Sequence, residues 1–320
     1  MTDVWSQVVN FADYGQMFAL LRNSVIAGAV LGLVGGLVAT FVIQRDLAFA
    51  VHGVSELSFA GGAAGLLFGV GVVPGALGGS ILAAALIGLF GAQSRQRNSV
   101  IGVLMPFGLG LGILFLSLYP GRGANKFGLL TGQIVAVDDP RLAVLSAICL
   151  VVAVGLLIVW RPLTFASLDP EVAEARGVPT RFLSFVFMVL LGLATAVSVQ
   201  IVGALLVLSI LVTPAAAALR LTHAPGRVAV LSMLFATVSL VGGILLALGA
   251  AIPISPYVTT ISFTIYLVAT AVGAWRARRA AWRPNGRQPD RGRPGGELSE
   301  STGVRSVAPR LDRSVASAGD

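Results

Sequence analysis

The chain has 320 residues, 56% hydrophobic and 11% charged, with a mean hydropathy of +0.89. Soluble domains average about 25% charged residues, so this chain has too little polar surface to cover itself in water, and an integral membrane protein is expected. Its net charge of +8 sits in short connecting segments and near the C-terminus, the pattern of the positive-inside rule, so nucleic-acid binding is excluded as a reading. The one cysteine, Cys149, lies in an apolar run; it rules out a disulfide within the chain and reads as a small buried side chain.

Residues 1–18 carry Trp5, Phe11 and Tyr14 among polar neighbours. They read as an extracytoplasmic segment lying along the membrane interface, where such rings are favoured. No basic stretch precedes an apolar core, so a cleaved signal peptide is not expected. A spanning helix needs about 20 apolar residues. Nine candidates follow, at 19–43, 47–70, 73–92, 99–119, 141–160, 181–198, 200–219, 227–250 and 257–276. The breaks at Gly71 to Pro74 and around Gln200 are weak, so eight spans is the alternative. Glycine and alanine recur at intervals near four in "IAGAVLGLVGG", "AGGAAGLLFG" and "PGALGGSILAAALIG", which predicts helices packed closely in a bundle.

The Arg-rich segments 93–98, 161–181, 220–227 and 275–280 are expected on the cytoplasmic side, with 120–140 and 251–256 outside. Nine spans then put the N-terminus outside and the C-terminus inside. From 281 to 320 the chain is rich in Pro, Gly, Ser and Arg and reads as a disordered cytoplasmic tail with a weak attraction to anionic lipid. His223 reads as an ordinary loop histidine. Asp138 and Asp139, with Arg122 and Lys126, line the outer loop; they are solvated loop charges or complements to charges on a binding protein. Pro214 falls in the span 200–219, where it is expected to kink or loosen the helix, for gating or for packing.

Two segments point to function. Within "SLDPEVAEARGV", Asp169 stands as a helix N-cap, Pro170 at the first helical position, Glu171 in the first turn and Gly177 as a stop. A helix this short is marginal alone, so it is expected to dock into a partner. The second segment is "RDLAFAVHGVSELSFAGGAAG", in which His52 and Glu56 share a helix face. If that helix starts near Asp46, Glu56 lies about 15 Å along it, near the bilayer midplane. An ionisable group facing lipid there costs roughly 2.5–3.5 kcal/mol or more, so it must face a cavity, a partner or an ion. Imidazole with carboxylate suits zinc, manganese or ferrous iron. Two ligands make a site weak enough to release its ion, and twofold symmetry would double them to four. The alternative is a His–Glu contact that ties helices together.

Three blocks in order resemble one family. "SLDPEVAEARGV" resembles the coupling-helix region of bacterial ABC-type metal-ion permeases, "VQIVGALLVLSILVTPAAAALRLT" (199–222) looks like their most recognisable apolar block, and "FVIQRDLAFAVHGVSELSFAGGAAGLLFG" (41–69) is similar to their second signature. The resemblance covers about residues 19–276. It implies an all-α, polytopic bundle of the type II importer kind, spanning residues 19–280 with a coupling helix near 164–178 and placed in the bacterial inner membrane. It implies a homodimeric pore, two cytoplasmic ATPase subunits and an extracytoplasmic metal-binding protein, with zinc or manganese as cargo and no permanently bound cofactor. By the same resemblance Asp169, Pro170, Glu171, Ala173 and Gly177 belong to the coupling segment. In the family the early helix usually carries an Asp and, four residues on, a His directly after a Ser. Here His52 takes the position of the Asp, and Glu56, after Ser55, that of the His: the two groups have exchanged places.

No P-loop GxxxxGK[ST] is present, so ATP hydrolysis is left to a partner. A permease for a siderophore, haem or cobalamin is the competing reading, and the His52–Glu56 pair argues against it. An intramembrane metalloenzyme is disfavoured, because HExxH is absent and only one histidine falls in a span.

Overall fold

The computed structural model describes residues 14–90, 94–120, 137–247 and 254–281. The expectations for residues 1–13, for Arg122 and Lys126, and for the tail from 282 lie outside these. The chain separates into a unit of residues 1–278 and a C-terminal unit of 279–320, of which the end of one helix is described.

The described elements are helical throughout. They are α1 (Tyr14–Gln44), α2 (Ala48–Leu67), α3 (Val72–Phe90), α4 (Ser94–Leu118), α5 (Asp139–Leu168), α6 (Pro170–Ala175) and α7 (Thr180–Val202), then a 3-10 turn (Ala204–Leu206), α8 (Val207–Leu211), α9 (Thr213–Leu221), α10 (Pro225–Ala247) and α11 (Ile254–Ala281). Among them seven are long and apolar enough to cross a membrane: α1, α3, α4, α5, α7, α10 and α11. The expected nine are not all of this kind, for two reasons.

The first is α2. Its 20 residues extend about 30 Å at 1.5 Å per residue, matching the roughly 30 Å hydrocarbon layer. His52, Glu56, Ser55 and Ser58 make it less apolar than the others. The second is the stretch 200–219, which is not one helix. α7 runs to Val202, Gly203 adopts φ 90°, and Thr213 opens α9 with Pro214 in its first turn. A positive φ favours glycine and ends the helix, and proline suits a helix start because its missing N–H would be unpaired there anyway. Pro214 therefore begins a helix and does not kink a continuous span. The weak break at Gly71 is real: Gly69 and Gly71 take φ 73° and 103°, and α3 starts at Val72.

A further correction concerns 161–181. Its first eight residues belong to α5, which continues through Pro162 to Leu168. Thirty residues extend about 45 Å, some 15 Å more than the hydrocarbon layer needs. Buried Leu163 and Ala166 hold the extension in place, and α6 follows at its end. α1 likewise begins earlier than expected, at Tyr14 rather than 19.

Glycine sets the packing. α2 and α3 lie antiparallel with their backbones in contact: a Cβ on Gly61 would stand 2.3 Å from the Gly75 carbonyl oxygen, and one on Gly79 would stand 2.1 Å from that of Leu57. α1 and α10 pair the same way, through Gly32 against Thr237 and Gly36 against Met233, and Ser232 Oγ donates to the Gly36 carbonyl at 2.8 Å. α1 and α5 run parallel. Asn23 donates to Asp139 Oδ1 at 2.6 Å near one end, and the Phe41 and Trp160 rings meet at 5.0 Å near the other. Asp139 thus has a partner within the chain and is not a free loop charge.

Gly61→Ala should destabilise the detergent-solubilised protein by about 1–3 kcal/mol, since either backbone must move. Gly78→Ala, where a Cβ meets nothing within 4 Å, should hold or raise the melting temperature, since alanine favours the helix over glycine. Equal melting of the two variants would refute this account of the α2–α3 contact.

Candidate metal pathway and docking helix

α2 begins after a tight link. Asp46 adopts φ 53°, and Leu47 N–H donates to the Val42 carbonyl at 2.8 Å, so the chain reverses from α1 within three residues. Thirteen of the 20 residues of α2 are buried, which makes it an enclosed helix rather than a lipid-facing one. α3 covers one side. α4 runs parallel along another, where a Cβ on Gly108 would meet the Glu56 backbone carbon at 3.0 Å and one on Gly112 would meet the Phe59 ring. The break after α7 meets a third side: Ser55 Oγ lies 3.3 Å from the Ala204 carbonyl oxygen and 2.9 Å from that of His52.

Between α4 and this break lies the face with His52 and Glu56. The Glu56 side chain is 4% exposed and that of His52 29%, so the carboxylate is enclosed and the imidazole stands at an opening. His52 Nε2 and Glu56 Oε1 are 3.8 Å apart, too far for a hydrogen bond. Two tetrahedral ligand bonds of about 2.1 Å span roughly 3.4 Å, so a small closure would let one divalent ion bridge them. Glu56 Oε2 and His52 Nδ1 are buried without hydrogen-bond partners, so a carboxylate oxygen is left free to serve an ion. Among the described residues no group of three His, Cys, Asp or Glu side chains converges. One copy therefore offers two such ligands, not a closed binding site.

α6 follows α5 directly. Asp169 Oδ1 accepts from the Val172 N–H at 3.1 Å, and Pro170 sits in the first turn. Gly177 takes φ 79°; its N–H donates to the Glu174 carbonyl and that of Val178 to the Ala173 carbonyl, both at 3.0 Å. This pair of bonds closes the C-terminus in the Schellman manner. Ala173 is fully buried against the body, while Glu171, Val172 and Glu174 are exposed. The cap and the stop fall where the sequence placed them, but the helix itself is only the six residues 170–175.

A family model described as the ABC 3 transport family matches residues 17–273. The chain belongs to this family. Among members, it is 27% identical over 284 residues to the manganese transport system membrane protein MntC of Halalkalibacterium halodurans, covering 86% of this chain and 97% of that one. It is 26% identical over 235 residues to the high-affinity zinc uptake system membrane protein ZnuB of Haemophilus influenzae, covering 72% and 89%. Among solved structures, PsaBC from Streptococcus pneumoniae in complex with Fab superposes with a TM-score of 0.73 at 25% identity, covering 81% of this chain and 94% of that one. The family expected from the three sequence blocks is the family found.

Sequence reasoning missed the role of the break at Gly203. Its freed carbonyls are taken up by serines from elsewhere: Ser55 on Ala204, Ser255 on Val202 at 3.0 Å and Ser262 on Ser209 at 2.9 Å. Gln200 Oε1 and Thr195 Oγ1, just before it on α7, are buried and unpaired. The available signal was the polar run Thr195, Ser198, Gln200 ahead of a glycine in an otherwise apolar segment. Pro214 is buried and lies away from any helix interior, and His223 is exposed.

Removing the cap should open α6 selectively. Asp169→Ala is expected to speed hydrogen exchange at Val172 and Ala173 by about fivefold, the equivalent of about 1 kcal/mol, with α7 amides unchanged. Unaltered exchange at Val172 would show that the carboxylate does not hold the turn.

Proposed function

We propose that this chain is the membrane-spanning permease subunit of a bacterial importer for manganese or zinc, powered by a separate ATPase. The observation that carries the reading is the enclosed His52–Glu56 pair, in the least apolar of the described long helices, within a chain of the ABC 3 transport family. Relatives named for manganese and for zinc transport support the cargo class. Imidazole with carboxylate suits either ion.

The ion is received outside from a metal-binding protein and passes His52 and Glu56. Each pair holds it weakly, and a second copy of the chain across a twofold axis supplies the other half. Weak holding lets the ion leave toward the cytoplasm. In this reading α2 spans the membrane as an eighth helix, enclosed by its neighbours, in the manner of a type II importer. The N-terminus lies outside, the C-terminus inside, and the tail from 281 lies in the cytoplasm near anionic lipid. The segment 164–178 meets the ATPase: Asp169 and Pro170 start α6, Ala173 anchors it, Gly177 ends it, and Glu171 faces the partner. ATP binding and hydrolysis move this segment and rock the bundle. The irregular stretch from Gly203 to Pro214 is the natural place for it to yield, since non-helical backbone at membrane depth is tolerated only where protein or a cavity surrounds it.

Cells lacking the protein, grown in metal-limited medium, should lose manganese or zinc by elemental mass spectrometry, and the wild-type chain should restore it. His52→Ala/Glu56→Ala should not. His52→Asp/Glu56→His keeps one imidazole and one carboxylate and should restore most of the uptake. Full rescue by the double alanine variant would make the pair structural. No change in any metal on deletion, with other importers also removed, would favour an organic or chelated cargo.

A further inference from the structure

A polar chain connects α6 to the root of α2. Glu174 Oε1 on α6 accepts from Thr180 Oγ1, the first residue of α7, at 3.4 Å. One turn on, Ser184 Oγ donates to the Thr180 carbonyl at 2.8 Å. The same Ser184 hydroxyl accepts from Arg45 Nη2, and Arg45 opens the three-residue link between α1 and α2. Its guanidinium also lies over the Phe187 ring, 5.8 Å from the centroid, and that ring packs edge-on to Phe41 at the end of α1. On the other side of the link Arg97, at the start of α4, donates through Nη2 to the Asp46 carbonyl at 3.3 Å. The link is therefore clamped between α7 and α4 at a residue, Asp46, whose φ of 53° is rare outside glycine.

Two features single out Arg45. It is a half-buried charge with no carboxylate within ion-pair distance among the described residues, an arrangement that carries a desolvation cost. And it stands seven residues, about two helical turns, before His52. A helix transmits displacement of its first turn along its axis, so whatever moves Arg45 moves the His52–Glu56 face.

We propose that Arg45 is a positioning residue for transport: its bond to Ser184 delivers movement of the docking helix α6, through the start of α7, to the metal-bearing helix α2. This rests on the importer reading above. The planar guanidinium suits the task, because it bonds Ser184 and stacks on Phe187 at once, which lysine does not.

The test uses the complete importer, this chain with its ATPase subunits and metal-binding protein, in proteoliposomes, with ATP hydrolysis and uptake of radioactive manganese and zinc measured on the same vesicles. Arg45→Gln should leave hydrolysis within about twofold of wild type and lower the metal moved per ATP by about tenfold. Arg45→Lys should recover part of that ratio. Ser184→Ala should lower it in the same direction, and the double variant Arg45→Gln/Ser184→Ala should be no worse than Arg45→Gln alone, since both remove one bond. Where Arg45→Gln does not assemble, the ratio for Ser184→Ala decides. An unchanged ratio overturns the proposal, as does a parallel fall of hydrolysis and uptake, which is the mark of a merely structural bond. Absence of uptake by the wild-type importer overturns the importer reading itself and this inference with it.

Discussion

Backbone-to-backbone contact between helices is the constraint on which this molecule rests. Lipid is as apolar as leucine, so burying leucine against leucine gains little inside a membrane, and association depends on close van der Waals approach. Gly61, Gly65, Gly75 and Gly79 let α2 and α3 touch where any Cβ would collide with a carbonyl. Gly108 and Gly112 bring α4 against the Glu56 side of the same helix. Together these contacts enclose α2, the least apolar of the long helices among the described residues. The burial of Glu56 is thus a consequence of where neighbouring glycines lie.

Enclosure creates a second requirement. A broken helix within an apolar body exposes carbonyls that water cannot reach, and each must find a donor. At the Gly203 break the donors are serine hydroxyls from α2 and α11, together with Ser209 of α8 on the Leu206 carbonyl at 2.6 Å. Ser55 is adjacent to Glu56, so the same hydroxyl that quiets the break also sets it beside the His52–Glu56 face. Irregular backbone, an enclosed carboxylate and a half-open imidazole then share one region. In the proposed reading the ion is held there, and the broken backbone around Gly203 lies next to it.

The short helix α6 is built by other means. α6 has six residues and could not persist on its own. It is held by a capping carboxylate, a proline start, a Schellman stop and one buried methyl at Ala173. Glu171 and Val172 stay exposed on its outer side, and Glu174 reaches back to Thr180. At the same end of α7, burial first and then the nearby Arg97 charge push the Arg45 guanidinium below its ordinary pKa.

The membrane class, the helical architecture, the α6 cap and stop, and the His52–Glu56 pair were all legible in the sequence. Each depends on composition or on spacing within a few residues: a run of apolar side chains, an Asp-Pro before a turn, two ionisable groups one turn apart. The span at 200–219 was misread, because apolarity shows that a segment can sit in a membrane but not that its helix is continuous. That Gly203 takes a positive φ, and that Pro214 starts a helix instead of bending one, was decided by distant serines able to satisfy the freed carbonyls. The extension of α5 past Pro162 was misread for the same kind of reason, since buried contacts at Leu163 and Ala166 outweigh one lost hydrogen bond. Arg45, Ser184 and Thr180 are far apart or unremarkable along the chain, and only the antiparallel placement of α7 beside α1 brings them into one line. Local structure and chemistry follow from neighbours in sequence, whereas enclosure, the tolerated break and the Arg45–Ser184 link follow from which helices the glycines allow to touch.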